Sequence, residues 1–184
     1  MEYHQLLVIM TVIFSFVTLF TSIGLLIKKK YRFFIENIVS YTFYIIFLIL
    51  QYKLRFQINP FIIMIVLITF VGNNLVGQYL NVYNSSKYYD RFLHAFGSFS
   101  FSIFFYLILE KITIHTISPK FYNSILIAMI GISLGCIFEI YEFISDSIST
   151  SNLKNQHGLK DTNFDLISDI IGSVIAGIVS NLMF

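Results

Sequence analysis

The chain has 184 residues, of which 57% are hydrophobic and only 12% are charged, and its mean hydropathy is +0.78. Soluble domains are about half apolar and about one-quarter charged, so this composition excludes an ordinary water-soluble domain. The formal net charge is only +2 and the basic residues stand in short clusters between apolar runs, which gives no support to a nucleic-acid partner. The composition predicts an integral membrane protein surrounded by membrane lipids.

We interpret the N-terminal apolar run as a retained membrane span and not as a secretory signal. No basic segment precedes it, it is longer than the hydrophobic region of a signal, and its strongest positive charge, KKKYR at 28–32, follows it. The single cysteine, Cys136, lies inside another apolar run. A disulfide within the chain and a zinc-type cysteine pair are therefore excluded.

Six apolar runs are long enough to cross a bilayer as helices, for which about 20 residues are needed. The predicted spans cover residues 6–27, 33–50, 60–80, 92–110, 122–144 and 164–184. The connections between them are short, and the longest polar stretch, 147–163, is predicted to be a loop. We therefore expect an all-α integral membrane bundle that forms a single transmembrane domain, residues 1–184.

The basic residues of the loops predict the orientation, since cytoplasmic loops are enriched in Lys and Arg. The connections after spans one, three and five carry Lys28, Lys29, Lys30, Arg32, Lys87, Arg91, Lys154 and Lys160. The other side carries Lys53, Arg55, Lys111 and Lys120. Eight against four places the first set in the cytoplasm and both termini outside.

Ionisable groups inside membrane spans are costly and mark candidate functional sites. Here they fall at the span ends that share one membrane face, because consecutive spans alternate in direction. The set comprises Asp90 and His94 in span four, Glu139 and Glu142 in span five, and Asp161, Asp165 and Asp169 around the start of span six. Polar residues of spans two and three end at the same face: Glu36, Asn37, Asn73, Asn74 and Gln78.

The spacing within each span favours a shared pocket, since residues three or four apart lie on one helix face. Asp90 and His94 are four residues apart, Glu139 and Glu142 are three apart, and the three aspartates follow at intervals of four. Crowded carboxylates cannot all ionise cheaply, so the pocket requires a cation or shared protons. The pattern predicts a His/carboxylate pocket near one membrane face.

Structural interpretations stand beside the functional ones. Asp90 suits the positive end of a helix and can pair with Arg91 or Lys87. A lone histidine such as His94 is more often hydrogen-bonded in a structural role. Glu139 and Glu142 resist this interpretation, because the residues around them are apolar and aromatic.

The other polar residues have local explanations too. Thr162 with Asp165 resembles a capping box, which would start the last helix at Asp161. Glu36 can pair with Arg32, one helical turn earlier. The small residues from Gly172 to Gly177 (GSVIAG) predict a close-packing face on span six.

The ordered segments VGQYLNVY, YYDRFLHAFGSF, EIYEF and GLKDTNFDLISDIIGS resemble the YjdF-like family of uncharacterised bacterial integral membrane proteins. The positions that carry the resemblance are Gly77, Tyr79, Asp90, Arg91, His94, Glu139, Glu142, Gly158, Asp161, Thr162, Asp165 and Gly172. The layout is also distantly similar to the VanZ-like membrane proteins. The resemblance implies a multi-pass protein of the bacterial cytoplasmic membrane and a site position, and it implies no reaction.

Our first functional hypothesis is a metal-dependent enzyme or binder that acts on an amphipathic or lipid-linked molecule. A histidine among carboxylates suits Mn, Mg, Fe or Zn, and the proposed metal ligands are His94, Glu139, Glu142 and Asp165. Asp90 or Glu142 would act as the general base for a bound water. Arg91, Asp161 and Asp169 would lie behind the ligands.

Two alternatives use the same residues differently. A small transporter or proton-coupled permease would exchange protons or cations on the acids, and a homo-oligomer could supply the path that the apolar outer halves of the spans lack. An accessory or assembly protein would pair its acids with Lys and Arg of the bundle or of a partner.

Overall fold

A computed structural model describes residues 3–113, 119–149, 154–156 and 158–183 of the chain. The described residues form an all-α structure without strands. Its helices are α1 (Tyr3–Ile27), α2 (Tyr31–Lys53), α3 (Pro60–Val71) with its π-helical continuation (Gly72–Tyr79), α4 (Val82–Ser85), α5 (Lys87–Ile112), α6 (Lys120–Ile148) and α7 (Leu159–Met183). Six of the helical segments are long and apolar enough to cross a membrane, with α3 and the π-helix counted as one. The protein is thus a multi-pass membrane protein.

The six spans agree with those expected from the sequence, but several helices extend beyond the apolar runs. Helix α5 begins at Lys87 and not at residue 92, and α6 runs on to Ile148. Helix α7 begins at Leu159, so the expectation of a capping box at Thr162 is wrong. The polar residues at these ends continue the backbone hydrogen bonding of the helix, whereas apolar length marks only its membrane-crossing part. The end of the last predicted span, Phe184, lies outside the described residues.

Chain contacts divide the protein into two compact units, Met1–Lys87 and Tyr88–Phe184. We call them unit 1 and unit 2. The expectation of a single transmembrane domain stays a prediction. In both units many outward side chains are large and apolar, among them Phe16 in unit 1 and Phe143 in unit 2. Such surfaces suit lipid, because they would be unfavourable in water.

The interior of unit 1 combines a close-packed apolar core with paired polar groups. Phe14 and Tyr44 make an edge-on ring contact in this core, with centroids 5.4 Å apart. Near the start of α2, Glu36 accepts hydrogen bonds from Arg32 Nε at 3.3 Å and from Gln78 Nε2 at 2.5 Å. Asn37 joins α2 to α1 by donating to the carbonyl of Thr18 at 3.0 Å. Interhelical bonds of this kind hold membrane helices in register.

The basic segment 28–32 also has structural contacts in unit 1. Lys28 Nζ donates to the carbonyl of Tyr79 at 2.9 Å, and Lys30 Nζ donates to that of Gln78 at 2.8 Å. These cations satisfy carbonyls at the end of the π-helix, where the helix dipole is negative. Burial and the neighbouring Lys28 lower the pKa of Lys30 below its usual range.

Unit 2 is built from α5, α6 and α7, which pack through small residues. Gly172 on α7 lies against the backbone carbonyl of Ala95 on α5, and a Cβ at that position would overlap it. Gly131 on α6 lies against the hydroxyls of Ser102 and Ser173 in the same way. We call the contact of Ser102, Gly131 and Ser173 the serine seam. Small residues let membrane helices approach closely, which agrees with the close-packing face predicted on the last span.

Candidate functional site

His94 lies in the second turn of α5, and a carboxylate of α7 fixes the orientation of its ring. Its Nδ1 is 3.2 Å from Oδ2 of Asp169, and Asp169 Oδ1 also accepts a hydrogen bond from Ser98 Oγ at 2.5 Å. An ionised carboxylate only accepts hydrogen bonds, so Nδ1 is the nitrogen that carries the proton toward Asp169. When the ring is neutral, its lone pair is then on Nε2.

Three further carboxylates surround Nε2 of His94. Asp90 Oδ1 lies 3.7 Å away on the same helix, and Glu139 Oε1 lies 3.6 Å away on α6. Asp165, one turn before Asp169 on α7, completes the group. One ligand atom each from Asp90, His94 and Asp165 lies within 4.8 Å of the others, and we call Asp90, His94, Glu139, Asp165 and Asp169 the carboxylate cluster.

Most of the carboxylate cluster is buried. The exposed fraction is 4% for Glu139 and Asp165, 3% for Asp169 and 7% for the His94 side chain. Asp90 is the most accessible member, with 20% of its side chain exposed. The cluster therefore has a closed interior and one more open position.

Two oxygens in this interior have no hydrogen-bond donor among the described residues: Glu139 Oε1 and Asp165 Oδ1. A buried charged group without a partner is strongly unfavourable, and buried polar atoms are almost always paired. The cluster also contains four carboxylates against one imidazole. Shared protons or a bound cation would compensate this charge.

The loop between α6 and α7 contributes a residue that the sequence did not single out. Gln156 Nε2 donates to Glu139 Oε2 at 2.9 Å and to the carbonyl of Glu139 at 3.0 Å. The carboxylate of Asp146 accepts from the backbone N–H of Asn155 and of Gln156, at 3.1 and 3.0 Å. Segment 154–156 is thus fastened to α6 beside the cluster.

Arg91 lies next to the cluster in an aromatic setting. Its guanidinium packs 4.1 Å from the ring centroid of Phe164 and 5.9 Å from that of Tyr88. Phe164 directly precedes Asp165 on α7. Arg91 Nε is buried and has no acceptor among the described residues.

The structure brings together most, though not all, of the site residues expected from the sequence. Asp90, His94, Glu139, Asp165 and Asp169 are in contact, whereas Asp161 lies one turn earlier, in the first turn of α7. Glu142 lies one turn beyond Glu139 and is only partly buried, and the contacts described around His94 go to other carboxylates. The roles of all these residues stay predictions.

Sequence reasoning missed Ser98, Gln156 and Asp146. Ser98 lies one turn after His94, so its spacing on α5 could have identified it. Gln156 and Asp146 meet through a loop contact, for which the sequence has no comparable periodic signal.

Comparison with known proteins places the chain in a family. Over residues 6–184 it matches the family described as predicted membrane protein, DUF2238, and it belongs to that family. It is 36% identical over 105 residues to an uncharacterised protein of Thermotoga maritima. The match covers 54% of the chain and 51% of the relative, so the chain spans about half the length of that relative. No solved structure matches the chain significantly.

Proposed function

We propose that this DUF2238 membrane protein binds a divalent cation in the carboxylate cluster and uses it, as an enzyme or a binder, on an amphipathic or lipid-linked molecule. The observation that carries the proposal is the pair of buried oxygens, Glu139 Oε1 and Asp165 Oδ1, that lack a donor beside His94 Nε2. Removing two charges from water without a partner is expensive. A cation between them would satisfy both oxygens and the imidazole at once.

The donor atoms fit a metal ion. Ligands about 2.0 to 2.3 Å from an ion lie at most about 4 to 4.6 Å from one another. The ligand atoms of Asp90, His94 and Asp165 lie within 4.8 Å of one another, so small inward movements suffice. Glu139 Oε1, at 3.6 Å from Nε2, is a fourth donor.

Asp169 would act behind the ligands. Metal-bound histidines usually donate their second ring nitrogen to a carboxylate, which orients the ring and increases its basicity. Asp169 occupies this position on Nδ1 of His94, and Ser98 holds Asp169 in turn. One imidazole among oxygens suits Mn, Fe or Zn, and Mg binds such nitrogen-containing sites less readily.

The chemistry of such a site depends on the accessible carboxylate. A bound divalent cation polarises a water or an ester oxygen. Asp90 is the more exposed acid and lies beside Nε2, so it is placed to accept a proton at the open side of the cluster. Glu142, the other base expected from the sequence, lies one turn farther along α6 and stays a prediction.

Metal analysis of the purified protein tests the proposal. We expect stoichiometric Mn, Fe or Zn in wild-type protein purified in mild detergent without chelator, and a large loss in His94→Ala and Asp165→Asn. Glu110→Gln is the matched control, because it removes a carboxylate from the far end of α5. The metal proposal would be contradicted if wild-type protein folds and elutes as one species but takes up no divalent metal.

The packing of unit 2 does not support the transporter alternative. Beneath the cluster, the hydroxyls of Ser102 and Ser173 donate to carbonyls of their own helices, and Gly131 fits against both. A conduction path needs room and polar groups across the membrane, whereas the serine seam is closed by direct contact. Flux measurements in proteoliposomes test this argument, since transport of protons or metal cations by the protein would contradict it.

Two finer interpretations are kept as proposals. The resemblance to YjdF-like and VanZ-like proteins agrees with membership of a membrane family and assigns no reaction. From the excess of Lys and Arg in the loops we propose that the carboxylate cluster lies on the cytoplasmic side of the membrane. The end of unit 2 that contains the cluster also carries Arg91, Lys154 and Lys160. Cysteine labelling of Lys154→Cys in a Cys136→Ser background, in intact and in opened cells, would test that side.

A further inference from the structure

Arg91 has an arrangement that the cation proposal does not use. It lies three residues before His94 on α5, so both side chains project from neighbouring positions of one helix face. The face of its guanidinium is taken by the ring of Phe164, at 4.1 Å. Its Nε is buried and lacks an acceptor among the described residues.

This arginine forms no ion pair or hydrogen bond through its side chain within the described ranges, although four carboxylates lie close by in the same unit. The N–H donors of a guanidinium point outward in the plane of the group. Stacking of its face on an aromatic ring therefore leaves these donors available for hydrogen bonds. A buried donor is expected to have an acceptor. An oxyanion of a bound molecule would supply such an acceptor.

We propose that Arg91 binds the phosphate group of the molecule that the carboxylate cluster acts on. The inference rests on the proposed function, because the cation and Arg91 would hold the same group from two sides. A phosphate has enough oxygens to accept a bidentate pair of hydrogen bonds from the guanidinium and to bind a neighbouring cation at the same time. A carboxylate would use both of its oxygens on the arginine. A compact tetrahedral group is therefore the better fit.

The surroundings of Arg91 favour an anion with an apolar attachment. Helices α5 and α7 both begin at this end of unit 2, and the positive ends of their dipoles favour negative charge. Tyr88, Phe92 and Phe164 are exposed beside the arginine and present an apolar surface. Phosphate bound here can come from a lipid headgroup or from a soluble phosphate.

Binding measurements with defined probes separate these sources and test the inference. The probes are inorganic phosphate, dioctanoyl phosphatidic acid in detergent, and dioctanoylglycerol as the phosphate-free counterpart. Affinities are measured by calorimetry on wild-type protein, Arg91→Gln, Arg91→Lys and Lys87→Gln, each with Mn²⁺ and with chelator. Lys87→Gln is the matched control, because it removes an exposed cation from the first residue of the same helix.

We expect Arg91→Gln to weaken binding of a phosphate probe about tenfold to a hundredfold, as loss of a charged hydrogen bond does. Arg91→Lys should lose part of this affinity, since an ammonium cannot bind two oxygens in the same plane. Lys87→Gln should bind as the wild type does. Tighter binding of phosphatidic acid than of inorganic phosphate would identify the lipid source, and the reverse would identify the soluble one.

Equal affinity of wild-type protein and Arg91→Gln for both phosphate probes would overturn the inference, and so would binding of dioctanoylglycerol as tightly as phosphatidic acid. No binding of either phosphate probe to the wild type, with or without Mn²⁺, would also overturn it. If Arg91→Gln does not fold, wild-type affinity of Arg91→Lys for the phosphate probes would overturn the proposed bidentate contact of Arg91 with phosphate. The metal content of each variant is measured separately, so failure of the cation proposal is recognised independently.

Discussion

The two units differ in how completely the oxygens of their acidic side chains are hydrogen-bonded. In unit 1, Glu36 has a donor on each oxygen, Arg32 on one and Gln78 on the other. In unit 2, Glu139 has Gln156 on one oxygen only, and Asp165 also keeps an oxygen without a donor. One unit balances its acid with a cation of its own, whereas the other gathers four acids around one imidazole.

This difference separates structural polar groups from candidate functional ones. An intramembrane acid alone does not distinguish them, since both units contain one near a helix end. The hydrogen bonding of the carboxylate does: each oxygen of Glu36 has a donor, whereas the carboxylate cluster keeps two buried oxygens that a bound ligand would complete. Variants that neutralise each acid should therefore have opposite effects on stability.

The largest effect is expected from Glu36→Gln in unit 1. The change leaves the guanidinium of Arg32, of which the side chain is 11% exposed, without its carboxylate, and breaking a largely buried pair in this way costs about 3 kcal/mol of unfolding free energy. Denaturant titration in mixed micelles, followed by circular dichroism, measures the loss. The double variant Arg32→Gln/Glu36→Gln should recover part of it, and a single variant as stable as the wild type would contradict the assignment of Glu36 as a structural acid.

The next largest loss of stability is expected from Gly172→Ala in unit 2, and Gly24→Ala in unit 1 is the variant with which it is compared. A Cβ at Gly172 meets the backbone carbonyl of Ala95, which cannot move alone, so we expect a loss of about 2 kcal/mol and reduced metal binding as α5 and α7 separate. A Cβ at Gly24 meets the ring of Tyr79, a side chain that can shift. Parallel denaturant titrations should rank Gly172→Ala as the more damaging change, and the reverse ranking would contradict the close approach of α5 and α7.

Much of this comparison could be predicted from the sequence. Apolar run length predicted the six spans, and their alternating direction predicted that His94, Glu139 and Asp165 lie at one end of the helices. The pair of Glu36 with Arg32 followed from helical spacing. These features depend on local composition and on helix periodicity, which a single sequence contains.

The remaining features depend on how each helix is rotated about its axis. Helix α6 has apolar residues around most of its circumference near Glu139, so the sequence could not show that Glu139 points inward while Glu142 is only partly buried. The contact of Gln156 with Glu139 joins a loop to a helix 17 residues away. The acceptor that orients His94, Asp169, could not be distinguished from the other aspartates of α7 by spacing alone.

A smaller effect of opposite sign is expected from Asp165→Asn. In protein treated with chelator, this change removes one of several crowded negative charges and should increase the unfolding free energy by about 1 kcal/mol. With Mn²⁺ present, the same variant should be less stable than the wild type, because it has lost a ligand. Thermal unfolding of both proteins with and without metal measures the reversal, and a change of the same sign in both conditions would argue against a cation site.

The smallest effect is expected from Asp146→Asn, which weakens the attachment of segment 154–156 to α6. Its carboxylate accepts two backbone hydrogen bonds at a partly buried position, and a neutral amide should hold them less well by about 0.5 kcal/mol. Limited proteolysis should cleave the loop faster while global unfolding is unchanged. Ser147→Ala, at the neighbouring exposed position, is the control.

The π-helix in the third span has a consequence for insertions and deletions. Residues Gly72–Tyr79 are wound more widely than an α-helix, and a π-helical turn accommodates an additional residue within the same helix. Deleting Val76 would let the segment return to α-helical winding, and the later side chains would keep approximately their present direction, because the wide turn would no longer have an additional residue to accommodate. Deleting Val66 from the α-helical part of the same span would instead rotate every later side chain by about 100° relative to those before it. Gln78 would then turn away from Glu36. The π-helix is thus the part of the third span where the chain could lose one residue and still keep the contacts on which unit 1 depends.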